Sequence, residues 1–289
     1  MFNDRVKVLK QEMLDNGIYR IVLEAPEIAN TAVPGQFVNL YSDDKTMLLP
    51  RPISICDVDP QEGLLILIYA VVGKGTEQMA AKQSGDTIRV MGPLGKGFPL
   101  EAAQEADEVF VVGGGLGMPP MLYLSRMIND PSKVKIFLGF RSQAWMGEEF
   151  RPYGTVYMTS DDGTTEFKGN VLQRIRFYLK VQNRSMRRVL YTCGPLPMMK
   201  AIQDHFMADV YKAVVIPSNK KLNIFSGQFR LEKLIQNQSD IILRRTVSQA
   251  DDFCPLEHRQ LHGHEEAPVR SALLPKGTLG GISFYLTSC

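Results

Sequence analysis

The sequence predicts a β-barrel plus α/β architecture: an antiparallel barrel followed by a domain with a parallel sheet. Three observations lead there. Residues 1–100 break into short segments rich in Val, Ile, Leu and Tyr, separated by turn-forming pairs. From about residue 106, compact apolar segments alternate with helical ones, the pattern of a parallel sheet. The length of 289 residues fits two domains at roughly 100–200 residues each. The expected division is 1–100 for the barrel, 101–208 for the α/β domain and 209–289 for a tail.

In the first part, strands are expected at 19–23, 36–40, 64–72 and 87–90, with a short helix near 77–82. Asn16-Gly17, Pro34-Gly35, Glu62-Gly63 and Gly85-Asp86 punctuate them. Several short strands at this spacing form a barrel or a sandwich. In the second part, strands are expected at 109–112, Val134–Phe140, 155–159 and 189–192. Helices are expected at 119–128, Val171–Leu179 and 197–206. The tail has weak periodicity. A helix fits 229–235, and Pro217, Pro255, Pro268 and Pro275 interrupt anything longer.

Composition narrows the function classes. Lys and Arg total 33 against 31 Asp and Glu, a net charge of +2, which gives no electrostatic reason for a nucleic-acid partner. The N-terminal stretch carries charges throughout and no apolar signal core. The longest apolar run, 64–72, falls well short of the ~20 residues of a membrane-spanning helix. A soluble cytoplasmic protein is expected. Four cysteines, Cys56, Cys193, Cys254 and Cys289, are too few and too scattered for a disulfide scaffold.

Four motifs carry chemistry. The run V-F-V-V-G-G-G-L-G-M-P-P at 109–120 is a strand, a glycine turn and a helix start, a place where backbone N–H groups and the helix dipole suit a pyrophosphate. Gly113, Gly114, Gly115 and Gly117 are the residues concerned. Met118 stands where the third glycine of G-x-G-x-x-G belongs, and Phe140-Arg141-Ser142 closes the next strand without an acidic residue. The dinucleotide fingerprint is therefore incomplete. In R-P-I-S at 51–54, arginine can pair with phosphate and serine can donate to a ring. Gly75 and Thr76 stand at the expected start of the short helix, with Thr76 as a cap and a second anion site nearby. At 191–195, Cys193 ends a strand on the crevice side and Gly194-Pro195 turns the chain into a helix. Taken singly, the first motif also describes a glycine-rich turn of any α/β protein, Arg51 a surface arginine beside proline, the third a strand entering a capped helix, and Cys193 a small buried apolar residue.

Taken together, R-P-I-S, Y-x-V-V-G-K-G-T at 69–76, G-P-L-G-K-G-F at 92–98, G-G-G-x-G-x-P-P at 113–120 and Y-x-C-G-P resemble the ferredoxin–NADP reductase superfamily. The resemblance is strongest to the electron-transfer subunit of dihydroorotate dehydrogenase B and covers about 5–207. S-D-D-G at 160–163 and Lys168-Gly169 fit it too. It implies an FAD-binding barrel and an NAD-binding α/β domain. Arg51 would lie near the FAD pyrophosphate, with Pro52, Ile53 and Ser54 beside it and Ser54 near the flavin ring. Ile68, Tyr69 and Ala70 would line the flavin, and Gly75 and Thr76 would hold the pyrophosphate. The four glycines of the first motif and Cys193, Gly194 and Pro195 would frame the nicotinamide nucleotide. Asp161 and Asp162 are candidates for its ribose, and NADH is favoured over NADPH. The implied activity is that of an NADH-dependent flavin oxidoreductase with no protein nucleophile. A hydride passes from NADH to FAD, and electrons pass by a [2Fe–2S] cluster to or from the FMN of a dihydroorotate dehydrogenase subunit. The implied assembly is a heterotetramer of two subunit types in pyrimidine biosynthesis. The alternatives are a related reductase subunit serving a hydrogenase or sulfide dehydrogenase, and a damaged, non-functional subunit.

The tail departs from this pattern. The family's cluster cysteines follow C-x4-C-x2-C with a fourth further on. After residue 193 this chain has only Cys254 and Cys289, 35 positions apart, and no C-x2-C anywhere. No metal ligands are assigned. Cys254, His258, His262 and His264 have zinc-like spacing, but exposed histidine in a polar tail is the ordinary reading. FAD reduction by NADH is expected, and completion of the relay is not. The resemblance stops at about 209–212 rather than fading, which points to a frameshift. Translating the coding DNA in the other two frames is expected to yield a C-x4-C-x2-C stretch. If neither frame contains one, the frameshift idea fails.

Overall fold

The computed structural model describes residues 1–44, 47–182, 186–207, 213–215 and 282–287. The helix expected at 229–235, most of the tail and its Cys254, Cys289, His258, His262 and His264 lie outside the described residues.

Six strands close an antiparallel barrel: β1 (Phe2–Asp15), β2 (Ile18–Glu24), β3 (Phe37–Tyr41), β4 (Arg51–Asp59), β5 (Leu64–Ala70) and β6 (Thr87–Leu94). Their order around the barrel is β1-β2-β5-β4-β3-β6. β1, which no apolar run announces, forms because Val6 and Val8 alternate with exposed Arg5 and Lys7. That is the period-two pattern of a half-buried strand. Val8, Ile21, Leu23, Val38, Leu40, Ile55, Leu65, Leu67 and Val90 fill the interior. Two short helices sit on the barrel, α1 (Pro26–Ala29) and α2 (Lys74–Ala80), and α3 (Glu101–Glu105) leads out of it.

The second unit is a parallel sheet of β7 (Glu108–Gly114), β8 (Val134–Phe140), β9 (Thr155–Ser160), β10 (Phe167–Lys168) and β11 (Arg188–Cys193). Two strands of the tail extend it past β11: β12 (Ala213–Val215) and β13 (Ile282–Thr287), in the order β11-β13-β12. Helices α4 (Met118–Ile128), α5 (Val171–Leu179) and α6 (Leu196–Met207) flank the sheet. β7 and β11 are buried on both faces, which is why their middles, 109–112 and 189–191, read as apolar runs rather than alternating ones. Val109 and Val111 face the barrel side, and Phe110 and Val112 face α5 and α6. A capping box starts α5: the Asn170 side chain accepts from Gln173 N at 3.0 Å, and the Gln173 side chain accepts from Asn170 N at 2.9 Å.

At the far end of the sheet from its glycine turn lies a buried ion pair. Arg188 Nε donates to Glu108 Oε2 at 2.6 Å, with both side chains almost fully excluded from solvent. The Tyr178 hydroxyl of α5 donates to the other Glu108 oxygen. Burial pushes the Tyr178 hydroxyl pKa well up, so it stays a donor.

Barrel and sheet share one core. Cys56, Ile68 and Phe98 of the barrel side pack into the same buried cluster as Met118, Met121, Leu124, Tyr191 and Cys193. Polar bonds cross the same boundary. Tyr123 OH donates to Ala32 O at 2.8 Å, Tyr191 OH to Pro99 O at 2.7 Å, and Arg20 pairs with Glu149 at 2.7 Å. Arg126 of α4 binds Asp57 of β4 through Nε at 2.9 Å and Nη2 at 2.6 Å, and also reaches Val58 O at 2.8 Å. Burial raises the Asp57 carboxyl above the usual aspartate range despite Arg126. Among the described residues no helix is long and apolar enough to cross a membrane.

Asp57→Ala is expected to lower stability by about 1.5–3 kcal/mol, the worth of hydrogen bonds to a charged group. Asp57→Asn keeps the Oδ1 acceptor without the cost of burying an anion, so it should lose less than half of that. Urea unfolding of the two variants checks the order. Equal losses would show that charge rather than hydrogen bonding holds the boundary.

Candidate functional site

The site begins at the carboxyl ends of β7 and β11, where open α/β sheets hold ligands. Past Gly114 the chain makes one 3-10 turn, Gly115–Gly117, and enters α4 with Pro119 and Pro120 in its first turn. Proline is at home there because those N–H groups have no helical partner. Residue 113 of β7 is level with residue 193 of β11 in the parallel register.

The glycines of this turn serve the protein before any ligand. A Cβ on Gly117 would overlap the Cys193 carbonyl, so only glycine lets the start of α4 touch the end of β11. A Cβ on Gly113 would lie 2.9 Å from Met118 Cα, and one on Gly114 2.5 Å from Met198 Sδ and 3.2 Å from Pro195 Cδ. In a phosphate-binding turn, glycine lets the phosphate approach the backbone. The structure gives three of the four glycines here to helix–strand packing. Gly115 differs: its φ is +54° and its Cα faces open space. The Cys193 side chain corrects a second expectation. It is fully buried in the shared core rather than facing the crevice, so only its backbone borders the site. Gly194, at φ +155°, carries the chain from there to Pro195 and α6.

The barrel half lies on β4, β5 and α2. Side-chain alternation puts Ser54 and Cys56 of β4 with Ile66, Ile68 and Ala70 of β5 on the outer face, toward the sheet domain. Ile53 and Tyr69 point the other way and pack on the barrel core. The Tyr69 hydroxyl donates to Gln11 Oε1 at 3.0 Å, and Gln11 Nε2 donates to Met79 O, Ala80 O and Lys82 O at the end of α2. A ligand on the outer face would thus meet only the backbone of Tyr69. Thr76 lies inside the first turn of α2 rather than at the cap. Its hydroxyl accepts from Val72 N at 2.8 Å and Gly73 N at 3.2 Å, and donates to Gly73 O at 2.9 Å.

Arg51 reaches across to α2. Its guanidinium occupies the space that a Cβ on Gly75 would need, and it donates to Leu49 O. Among the described residues it has no carboxylate partner. Close to it in the chain, Leu48 and Leu49 expose 83% and 68% of their surface, and Val72, three residues before Gly75, exposes 84%; no sequence motif singles them out. Pro52 is exposed at the same end of β4. A cation held against a glycine backbone suits a phosphate group.

The two halves meet. β5 contacts the turn Gly115–Gly117, and Ile68 shares a buried cluster with Met118 and Cys193. Asp161 and Asp162 sit one strand further out, past β9. Asp162 is engaged within its own loop, accepting from Thr164 N at 3.0 Å and Thr164 Oγ1 at 2.8 Å, and the Thr164 N–H holds its carboxyl below the usual range. Asp161 is tied through its backbone N–H to Phe140 O at 3.3 Å, and its carboxylate is exposed.

Comparison with known proteins agrees with this geometry. No family model matches the chain. The dihydroorotate dehydrogenase B (NAD(+)) electron-transfer subunit of Geobacillus thermodenitrificans (strain NG80-2) is 38% identical over 207 residues, 70% of this chain and 79% of the relative. That of Shouchella clausii (strain KSM-K16) is 39% identical over 202 residues, 68% of this chain and 76% of the relative. Among solved structures, an NADH-dependent reduced ferredoxin–NADP oxidoreductase studied for flavin-based electron bifurcation matches with a TM-score of 0.61 and 26% identity, over 68% of this chain and 70% of its own. A closed antiparallel barrel joined to a parallel sheet, with these relatives, identifies the chain as a member of the family of oxidoreductase electron-transfer subunits that serve dihydroorotate dehydrogenase B.

Proposed function

We propose that this chain binds FAD on the outer face of its barrel and NADH at the strand ends of its sheet, and moves electrons between them. The observation that carries the reading is the Arg51 guanidinium lying against Gly75, at the start of the helix that follows β5, without a carboxylate partner among the described residues. Arg51, Gly75 and Thr76 would hold the pyrophosphate of FAD. Pro52, Ile53 and Ser54, with Ile68, Tyr69 and Ala70, would hold its ring, Ile53 and Tyr69 through their backbones. Gly113, Gly114, Gly115 and Gly117, with Cys193, Gly194 and Pro195, would frame the nicotinamide nucleotide.

FAD, when bound, supplies a ring that accepts a hydride and can release electrons one at a time. The residues of this chain orient rather than react. No residue is assigned the role of nucleophile or general acid. The shared core fixes the spacing between the two cofactor sites, which converts an encounter into a positioned transfer. The buried contact of β4 and β5 with the sheet keeps water from the boundary. The partner in this reading is the FMN-containing catalytic subunit of a dihydroorotate dehydrogenase, the assembly a heterotetramer, and the compartment the cytoplasm.

Purified protein is expected to retain stoichiometric FAD, which NADH bleaches. Arg51→Ala and Gly75→Ala should each weaken flavin retention roughly 10- to 100-fold, the worth of one or two charge-assisted hydrogen bonds. Equilibrium dialysis or fluorescence of released flavin measures this. Folded protein that binds no flavin would sink the reading.

Gly117→Ala must shift the start of α4 away from the Cys193 carbonyl while leaving the barrel intact. It should retain flavin and slow its reduction by NADH roughly 10- to 100-fold in kcat/KM through misplacement alone. Unchanged reduction kinetics would remove the glycine turn from the NADH site.

A further inference from the structure

The family pattern includes a [2Fe–2S] cluster, and the donor set of this chain does not fit one. Such a centre needs four ligands, either four thiolates or two thiolates and two imidazoles. The chain has four cysteines. Cys56, on β4, is 1% exposed and Cys193, at the end of β11, is 0% exposed; both belong to the core between barrel and sheet. Among the described residues no three His, Cys, Asp or Glu side chains gather as a metal site. That leaves Cys254 and Cys289, 35 positions apart, with His258, His262 and His264 between them; no C-x2-C and no C-x-H pair is present to set two ligands on one iron.

We infer that residues 1–289 hold no iron–sulfur cluster, and that the flavin is the last redox centre of this chain. Electrons then leave the flavin for an acceptor that reaches the flavin itself. This rests on the FAD reading above. The balance closes without iron. NADH gives up a hydride and leaves as NAD+, and the two electrons pass on to one two-electron acceptor or to two one-electron acceptors. With ferricyanide as the probe, one NADH reduces two ferricyanide ions and one proton is released.

The test uses the full chain, purified anaerobically, then incubated with ferrous iron and sulfide and desalted. Expected are stoichiometric FAD, iron and acid-labile sulfide at trace level, and no iron–sulfur resonance by EPR after dithionite. NADH–ferricyanide turnover should be the same before and after reconstitution, and the same in the double variant Cys254→Ser, Cys289→Ser. Two irons and two sulfides per chain, with an EPR signal that the double variant loses, would overturn the inference. Protein without flavin would sink the FAD reading and the exit route with it, while the iron analysis would still decide the cluster.

Discussion

Helix α4 has almost no face to give to water. Every residue from Met118 to Ser125 is buried, because the barrel covers one side and the sheet the other. Tyr123 turns into the barrel cluster, while Met121, Leu122 and Leu124 join the core that both units share. Buried leucine or methionine is worth roughly 2–5 kcal/mol against alanine, so neither unit can leave α4 without a large loss. The rest of the arrangement follows from this shared helix. Its first turn must meet the end of β11, and its last turn must offer Arg126 to Asp57 of β4.

The same constraint explains the glycine turn. A helix buried this deeply has to start hard against the strand ends, and side chains at residues 113 and 117 would hold it off, while one at 114 would meet Met198 of α6. Bare backbone at the carboxyl edge of the sheet is therefore a consequence of packing, and it also leaves a polar shelf beside β5. The barrel contributes an arginine with no acid to neutralise it among the described residues. In a folded protein such a cation is stabilised when an anion arrives from outside. One half of the site gives shape and the other gives charge.

The legible parts of the sequence were those with strong local signals. β7 and β8 are built on the compact apolar runs 109–112 and 136–138, α5 has an Asn-x-x-Gln cap, and the glycine turn stands between a strand and Pro-Pro. β1 has no apolar run to announce it because six of its fourteen side chains are charged and only Val6 and Val8 mark the buried face. The motif at 51–54 put Arg51 in the site, yet strand alternation, visible only with the register known, turns Ile53 and Tyr69 into the barrel. Thr76 reads as a cap but acts from within the first turn. Cys193 looked like a crevice residue because it ends a strand, and its side chain lies on the core face instead. Arg126 and Asp57 are 69 positions apart, and no local pattern could pair them.

The ion pair of Arg188 and Glu108 lies at the opposite end of β7 and β11 from the site, and it works there as a ruler. The two residues are level in the parallel register, and five residues later so are Gly113 and Cys193. An apolar pair of strands could slide, since one valine resembles the next. A slip here would strand a buried charge, at roughly 3–5 kcal/mol, and would also take Glu108 from the Tyr178 hydroxyl. The charges thereby measure off where both strands must stop, and they set the level of the turn that faces the barrel.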